Sequence, residues 1–283
     1  MAGPNKFKID TAVIAAAGFG ARLLPLTLHQ SKPMMPIADR PLIHYIVDQI
    51  AAGGIRRFVV IINPKFQDIR RYIDYQNKQG EWRDYKFIIV EKKSKGFADS
   101  VLAAEKFVGK SHFIVAACDD IIDAKIPPFL SLIKIFRHYH RPVAILREIS
   151  VKQISQYGVI SGAKLANDIW NIKDVVEKPS PKNAPSSLGA IADYVLPPTI
   201  FRYIKLMKKS MPQGKAMPAG RQEPTVIDAL KFYIAGGGQL LGWVFRGHHF
   251  DGGSKIGLLQ ASSYFSAKHP ELGPAFKKYL KSL

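Results

Sequence analysis

Four short stretches of this 283-residue sequence carry residue types whose spacing suits phosphate chemistry. The first is a glycine loop, Ala17-Gly18-Phe19-Gly20-Ala21-Arg22, directly after the apolar run Thr11–Ala16. Glycine lets a backbone turn tightly and bring its N–H groups against an anion. Arg22 adds a planar cation with bidentate geometry for phosphate oxygens. Alone, G-x-G fits an ordinary strand-to-helix turn equally well: it lacks the third glycine of a dinucleotide fingerprint, and no G-x-x-x-x-G-K-[ST] occurs. The second stretch is Ser31-Lys32-Pro33-Met34-Met35-Pro36, where Lys32 precedes a helical pattern and can point back toward the loop. An isolated lysine beside prolines is ordinary surface; two cations behind a glycine loop are more telling.

The third is the acidic cluster Asp119-Asp120-Ile121-Ile122-Asp123, which follows the apolar run His112–Ala117. That places it at the carboxyl edge of a parallel sheet, where open α/β sheets bind ligands. A carboxylate there, beside a triphosphate, is the expected ligand of Mg²⁺, which keeps waters and uses few protein oxygens. Helix or turn capping explains one aspartate well and three less well. Asp251, in His249-Phe250-Asp251-Gly252-Gly253, is a second metal candidate whose bland alternative is an Asp-Gly turn. The fourth is Val175-Val176-Glu177-Lys178-Pro179. Glu177 can accept from sugar hydroxyls; Lys178 points oppositely unless Pro179 breaks the strand. An edge salt bridge is its alternative.

The elements that must position these residues alternate through the first half. Strands are expected at Thr11–Ala16, Arg57–Ile62, Phe87–Val90 and His112–Ala117, and helices at 41–51, Gln67–Tyr75 and Ser100–Phe107. Such alternation builds a mostly parallel central sheet flanked by helices. Beyond about Pro127, strands Val143–Ile149, Tyr157–Ser161, Ile172–Glu177 and Ala190–Leu196 are separated by turns, pointing to a smaller mixed-sheet portion. Thr225 is placed to cap a helix Val226–Ala235, followed by a strand Gln239–Phe245. A last helix, Pro274–Leu283, gathers Ala275, Phe276, Tyr279, Leu280 and Leu283 on a face that is either core or a contact between copies, as in a homo-oligomer.

Bulk properties narrow the class. With 41 Lys+Arg against 22 Asp+Glu the net charge is +19, which attracts polyanions: nucleic acid, acidic membranes or phosphorylated small molecules. The basic clusters are short, and no zinc-finger pattern accompanies them, so nucleic-acid binding rests on charge alone. A hydrophobic fraction of 47 % supports a sizeable core, and no run is long enough for a membrane span. The single cysteine, Cys118, allows no internal disulfide. The first ten residues lack the apolar core of a secretory signal. A cytoplasmic protein is the expectation.

In order and spacing, these stretches resemble the bacterial UTP–glucose-1-phosphate uridylyltransferases, within the sugar-phosphate nucleotidyltransferases. The family pattern A-G-x-G-T-R, P-K-x-M-L-P, K-P-L-I-x-Y is met here by AGFGAR, SKPMMP and RPLIHY. Lys95-Gly96-Phe97-Ala98-Asp99, Asp119, Gln156-Tyr157-Gly158-Val159-Ile160, VVEKP at 175–179 and Asp251-Gly252-Gly253-Ser254-Lys255-Ile256-Gly257 extend the likeness over roughly 10–280. The resemblance implies one Rossmann-like α/β nucleotidyltransferase domain over 1–283: a nucleotide half (about 10–126), a sugar half (about 127–260) and a C-terminal helical segment (261–283). It implies attack of glucose 1-phosphate on the α-phosphorus of UTP, with Mg²⁺ as cofactor. Arg22, Lys32 and Lys178 are then the catalytic cations. Ala17, Gly18, Gly20, Glu91 and Gly96 belong to the nucleotide, Gly158, Glu177 and Lys178 to the sugar phosphate, and Asp119 and Asp251 to the metal.

Several positions depart from the pattern. Ala21 replaces a threonine, removing a hydroxyl from the loop, and Cys118 stands where proline is frequent. Glu91 replaces a glutamine that reads the pyrimidine edge; an ionised carboxylate accepts but cannot donate, so uracil O4 loses its partner. Ala192-Asp193 replaces Gly-Arg, Thr225 replaces a glutamine, and the stretch between Phe66 and Lys86 is short. Another nucleotide such as dTTP, another sugar 1-phosphate, or a non-catalytic nucleotide-sugar binder are the alternatives these changes keep open.

Overall fold

The computed structural model describes residues 8–210 and 223–283. Its first half follows the alternation read from the sequence. Strand β1 (Ile9–Ala16) leads through a short ribbon, β2 (Pro36–Ile37) and β3 (Arg40–Pro41), into helix α1 (Leu42–Ala51). Then come β4 (Arg57–Ile62), α2 (Asp68–Gln79), β5 (Lys86–Glu91), α3 (Phe97–Leu102), α4 (Glu105–Val108) and β6 (His112–Ala117). Strands β5, β4, β1 and β6 lie side by side and parallel, so their carboxyl ends, and the loops after them, share one edge.

The second half adds β7 (Asp120–Asp123), α5 (Pro128–Tyr139), β8 (Val143–Glu148), β9 (Gly158–Ala166), β10 (Ile169–Glu177), β11 (Leu188–Leu196), α6 (Ile200–Ser210), α7 (Val226–Ala235), β12 (Leu240–Val244), β13 (His248–Asp251), α8 (Lys255–Lys268) and α9 (Gly273–Leu280). The sheet continues β6-β11-β8-β12-β10-β9, nine strands in all among the described residues. Strand β11 is antiparallel to both β6 and β8, β12 is parallel to β8, and β10 is antiparallel to β12 and β9. Strands β7 and β13 stand apart as a two-stranded antiparallel ribbon.

Alternation along β1 shows why both faces are covered. Ala12, Ile14 and Ala16 pack with Ile43 and Ile46 of α1 and Phe129 and Leu132 of α5. Val13 faces the other way, toward Ala98 and Val101 of α3, Ile204 of α6 and Leu230 of α7. A strand buried on both faces reads as a continuous apolar run, which is what TAVIAA is. No described helix is long and apolar enough to cross a membrane.

Three expectations are corrected. The helix read at 100–107 is two: Gly96, at φ +106, starts α3 three residues early, and Ala103 N–H is shared between Asp99 O and Ser100 O, closing α3 before α4 begins. The apolar face of α9 is not core, since Tyr279, Leu280 and Leu283 are exposed and only Phe276 is half-buried. The C-terminal helices begin at Lys255, ahead of position 261. The cap read at Thr225 is present: its hydroxyl accepts from Asp228 N–H, and the Asp228 carboxylate accepts from Thr225 N–H.

Candidate functional site

Glycine at position 20 is required by geometry. Its φ is +74, and a Cβ there would lie 3.0 Å from Lys32 Cβ and 3.0 Å from Thr27 Cγ2. The loop after β1 therefore rests directly on the backbone that carries Lys32. Two single 3-10 turns, Ala21–Leu23 and Lys32–Met34, present Arg22 and Lys32. The second is tied to α2, because Ser31 donates its N–H and hydroxyl to the Asp68 carboxylate at 2.7 and 2.8 Å.

The two cations meet the two predicted metal carboxylates. Lys32 Nζ donates to Asp119 Oδ2 at 2.7 Å; Arg22 donates to Asp251 at 2.9 and 3.3 Å and stands 3.8 Å from Asp119 Oδ2. Burial penalises the charge of both Lys32 and Asp119, but their mutual attraction prevails. The ammonium is held above its ordinary pKa, and the carboxyl below its own. Beside them burial pushes the Cys118 thiol up to about 12, so it stays protonated and is no nucleophile. The β7–β13 ribbon explains how residues so distant in sequence converge. Its register sets Asp251 opposite Asp120, and Gly252 N–H donates to Asp119 O at 2.8 Å. Of the acidic cluster only Asp119 joins the cations. Asp120 turns to His249 at 2.8 Å, and Asp123 accepts from Tyr264 and Lys268 at 2.5 and 2.7 Å.

Whether this pair suits Mg²⁺ is decided at Gly253. A Cβ there would sit 2.2 Å from Asp119 Oδ2, 2.6 Å from Arg22 Nη2 and 2.9 Å from Asp251 Oδ1, so both carboxylates and the guanidinium converge on one point that only glycine leaves free of a side chain. Two carboxylates beside open cavity fit an ion that takes one or two protein carboxylates and fills its remaining positions with water and phosphate.

On the opposite wall, the strand break anticipated at Pro179 falls one residue earlier. Strand β10 ends at Glu177, and Lys178 adopts φ +48 with its N–H donating to Tyr157 O at 3.0 Å. That turn cancels strand alternation, so Glu177 and Lys178 both line the same cavity. Gly158 abuts Glu177, since a Cβ there would lie 2.9 Å from its Oε2. The cavity, about 590 Å³, is lined by Arg22, Lys32, Asp119, Gly158, Glu177, Lys178 and Asp251 among others.

Five predicted residues do not line it. Ala17, Gly18 and Gly20 shape the loop behind Arg22, and Gly96 packs against Glu223 and Pro224, leaving its neighbour Phe97 on the cavity wall. Glu91 ends edge strand β5, where its carboxylate accepts from Arg70 at 3.0 Å and Gln67 at 3.2 Å. The sequence reading missed Asp120, Tyr157, Tyr194, Glu223 and Thr225 as lining residues. Tyr157 sat inside the quoted QYGVI stretch, Asp120 inside the acidic cluster, and Thr225 stood out as a cap and as a departure from the family pattern; Tyr194 and Glu223 carried no spacing signal.

Asp193 accounts for one departure from the family pattern. Its side chain is buried, Oδ1 accepts from Ala117 N–H at 3.2 Å, and Oδ2 has no partner among the described residues. Burial, reinforced by the charge of Asp120, raises its pKa well above the carboxylate range. A carboxyl that is neutral folded but ionised unfolded adds stability in acid, and that contribution is lost as pH climbs from the ordinary carboxylate pKa through the raised one. Asp193→Asn keeps the acceptor for Ala117 and removes this penalty. Melting curves should show a higher Tm than wild type at pH 8 and nearly the same Tm at pH 4; equal shifts at both would contradict the neutral carboxyl.

With cations, carboxylates and glycine loop on one sheet edge, comparison with known proteins gives the class. The family model described as nucleotidyl transferase matches residues 11–266, so the chain belongs to that family. It is 28 % identical to the UTP–glucose-1-phosphate uridylyltransferase of Staphylococcus epidermidis, over 98 % of this chain and 99 % of that one. It is 29 % identical to the protein of the same name from Bacillus subtilis, over 98 % and 96 %. Among solved structures, UDP-glucose pyrophosphorylase complexed with UDP-glucose superposes with a TM-score of 0.81 at 27 % identity, covering 93 % of this chain and all of that one.

Proposed function

We propose that the protein transfers a uridylyl group from UTP to glucose 1-phosphate, giving UDP-glucose and pyrophosphate. The observation that carries this reading is that one cavity is lined together by Arg22, Lys32, Asp119, Asp251, Gly158, Glu177 and Lys178. The names of the full-length relatives supply the nucleotide and the sugar.

A phosphate oxygen of the sugar 1-phosphate is already anionic, so the reaction needs no strong general base. It attacks the α-phosphorus of the triphosphate; the new P–O bond forms as the bond to the β-phosphate oxygen breaks, and pyrophosphate leaves. What the site supplies is positioning and charge neutralisation. Lys178 holds the attacking phosphate, and Glu177 with the Gly158 backbone orients the sugar hydroxyls. Arg22 and Lys32 hold the triphosphate and its leaving group. Asp119 and Asp251 would hold Mg²⁺, which when bound offsets the charge of the triphosphate. The proposed compartment is the cytoplasm, in keeping with one buried, unpaired cysteine.

Pyrophosphate release from UTP, dTTP, CTP, ATP and GTP, each paired with glucose, galactose and N-acetylglucosamine 1-phosphates, tests the assignment. UTP with glucose 1-phosphate should be the best pair, and chelation by EDTA should abolish release. A better pair would reassign the substrates, and release from no pair would make the protein a nucleotide-sugar binder.

A further inference from the structure

His249 links β13, which carries Asp251, to β7, which begins one residue after Asp119. It lies on β13, two residues before Asp251, with its side chain 2 % exposed. Residues two apart on a strand share a face, and Asp120, the cross-strand partner of Asp251, lies on that face too. The His249 ring bridges two groups: Nδ1 is 2.7 Å from Arg147 Nη1, and Nε2 is 2.8 Å from Asp120 Oδ1. A guanidinium only donates, so Nδ1 accepts and the ring proton sits on Nε2, donating to Asp120. Asp120 directly follows Asp119, and its second oxygen accepts from Ala192 N–H of β11 at 3.4 Å. Arg147 belongs to β8 of the main sheet and stands 5.8 Å from the Tyr157 ring centroid.

The chain Arg147–His249–Asp120 therefore runs from the main sheet, through the strand of Asp251, to the residue after Asp119. A two-stranded ribbon is marginal alone, and this one must hold two carboxylates at a fixed separation. Outer partners of this kind fix the orientation of metal-holding groups and are worth ~10–100-fold in affinity. We propose that His249, braced by Arg147 and bonded to Asp120, is a positioning residue that sets the spacing of Asp119 and Asp251 and with it their hold on a divalent cation. This rests on the metal role given to that pair in the proposed function.

The test is equilibrium binding without turnover. UTP is titrated calorimetrically into the protein with no sugar phosphate present, once with Mn²⁺ and once with EDTA. The gain in affinity from Mn²⁺ measures the metal site. His249→Phe fills similar space but makes neither bond; it should cut the gain at least tenfold while leaving UTP affinity in EDTA unchanged. His249→Gln can donate to Asp120 and accept from Arg147, and should restore most of the gain. If His249→Phe does not fold, Arg147→Met carries the test, with a smaller loss in the same direction expected. A wild-type gain in His249→Phe, an equal loss in both His249 variants, or, where that variant does not fold, a wild-type gain in Arg147→Met overturns the positioning role alone. No gain in the wild-type protein overturns the metal reading and this inference with it.

Discussion

Asp119→Asn is expected to lower turnover by ~10²–10³ while the protein stays folded. Asparagine keeps the shape of the side chain and an oxygen for Lys32 Nζ, now 2.7 Å away, but removes the charge. Three groups depend on that charge. Lys32 loses its counter-ion, Arg22 loses the more distant of its two carboxylates, and the proposed cation site loses one of its two anionic walls. Breaking a fully buried pair costs ~3–5 kcal/mol. Here Lys32 and Asp119 retain 15 % and 14 % side-chain exposure toward the cavity, so a fraction of that penalty is expected. Steady-state pyrophosphate release measures the first effect and thermal unfolding the second. Turnover within about tenfold of wild type would contradict the role given to Asp119.

Gly253→Ala should be as damaging to catalysis, although it removes no functional group. The added methyl would fall 2.2 Å from Asp119 Oδ2, 2.6 Å from Arg22 Nη2 and 2.9 Å from Asp251 Oδ1, all closer than carbon tolerates. Arg22 is exposed and can swing aside; Asp119 is short, mostly enclosed and tied to Lys32, so relief has to come from the site itself. The expected outcome is a loss of at least ~10² in kcat with a Tm change of a few degrees, because the crowded carboxylates border the cavity and can shift into it. An alanine variant with wild-type kcat would mean that the two carboxylates can separate without consequence.

How far the sequence could be read depended on the range of the interactions. Strands β4 and β6 were legible to the residue, because a strand buried on both faces must be apolar and RFVVII and HFIVAA are so after their first, half-buried residue. Arg22, Lys32, Asp119 and Asp251 were legible as residue types at a sheet edge; that they form one ion-paired cluster was not. That fact belongs to the β7–β13 ribbon, whose strands are far apart in sequence and whose pairing no local pattern encodes. The same ribbon hid the pairing of Asp120 with His249. Helix α5 opens with Pro128, a residue that reads as a break but is favoured at a first helical turn. Strand alternation alone turns Lys178 away unless the strand breaks at Pro179; the left-handed backbone of Lys178 itself supplies the break and sets both Glu177 and Lys178 on the cavity. The nucleotide role expected of Glu91 rested on its family position alone; its carboxylate accepts from Arg70 and Gln67 at the edge of the sheet.

The central claim is that one cavity brings a sugar 1-phosphate against the α-phosphorus of a bound nucleotide. Incubation with [α-³²P]UTP and unlabelled glucose 1-phosphate, with products separated by chromatography, tests it directly. The account predicts that the label moves into UDP-glucose, only when glucose 1-phosphate is present, and in step with pyrophosphate release. Label recovered as free UMP, or labelled product formed equally without glucose 1-phosphate, would contradict it.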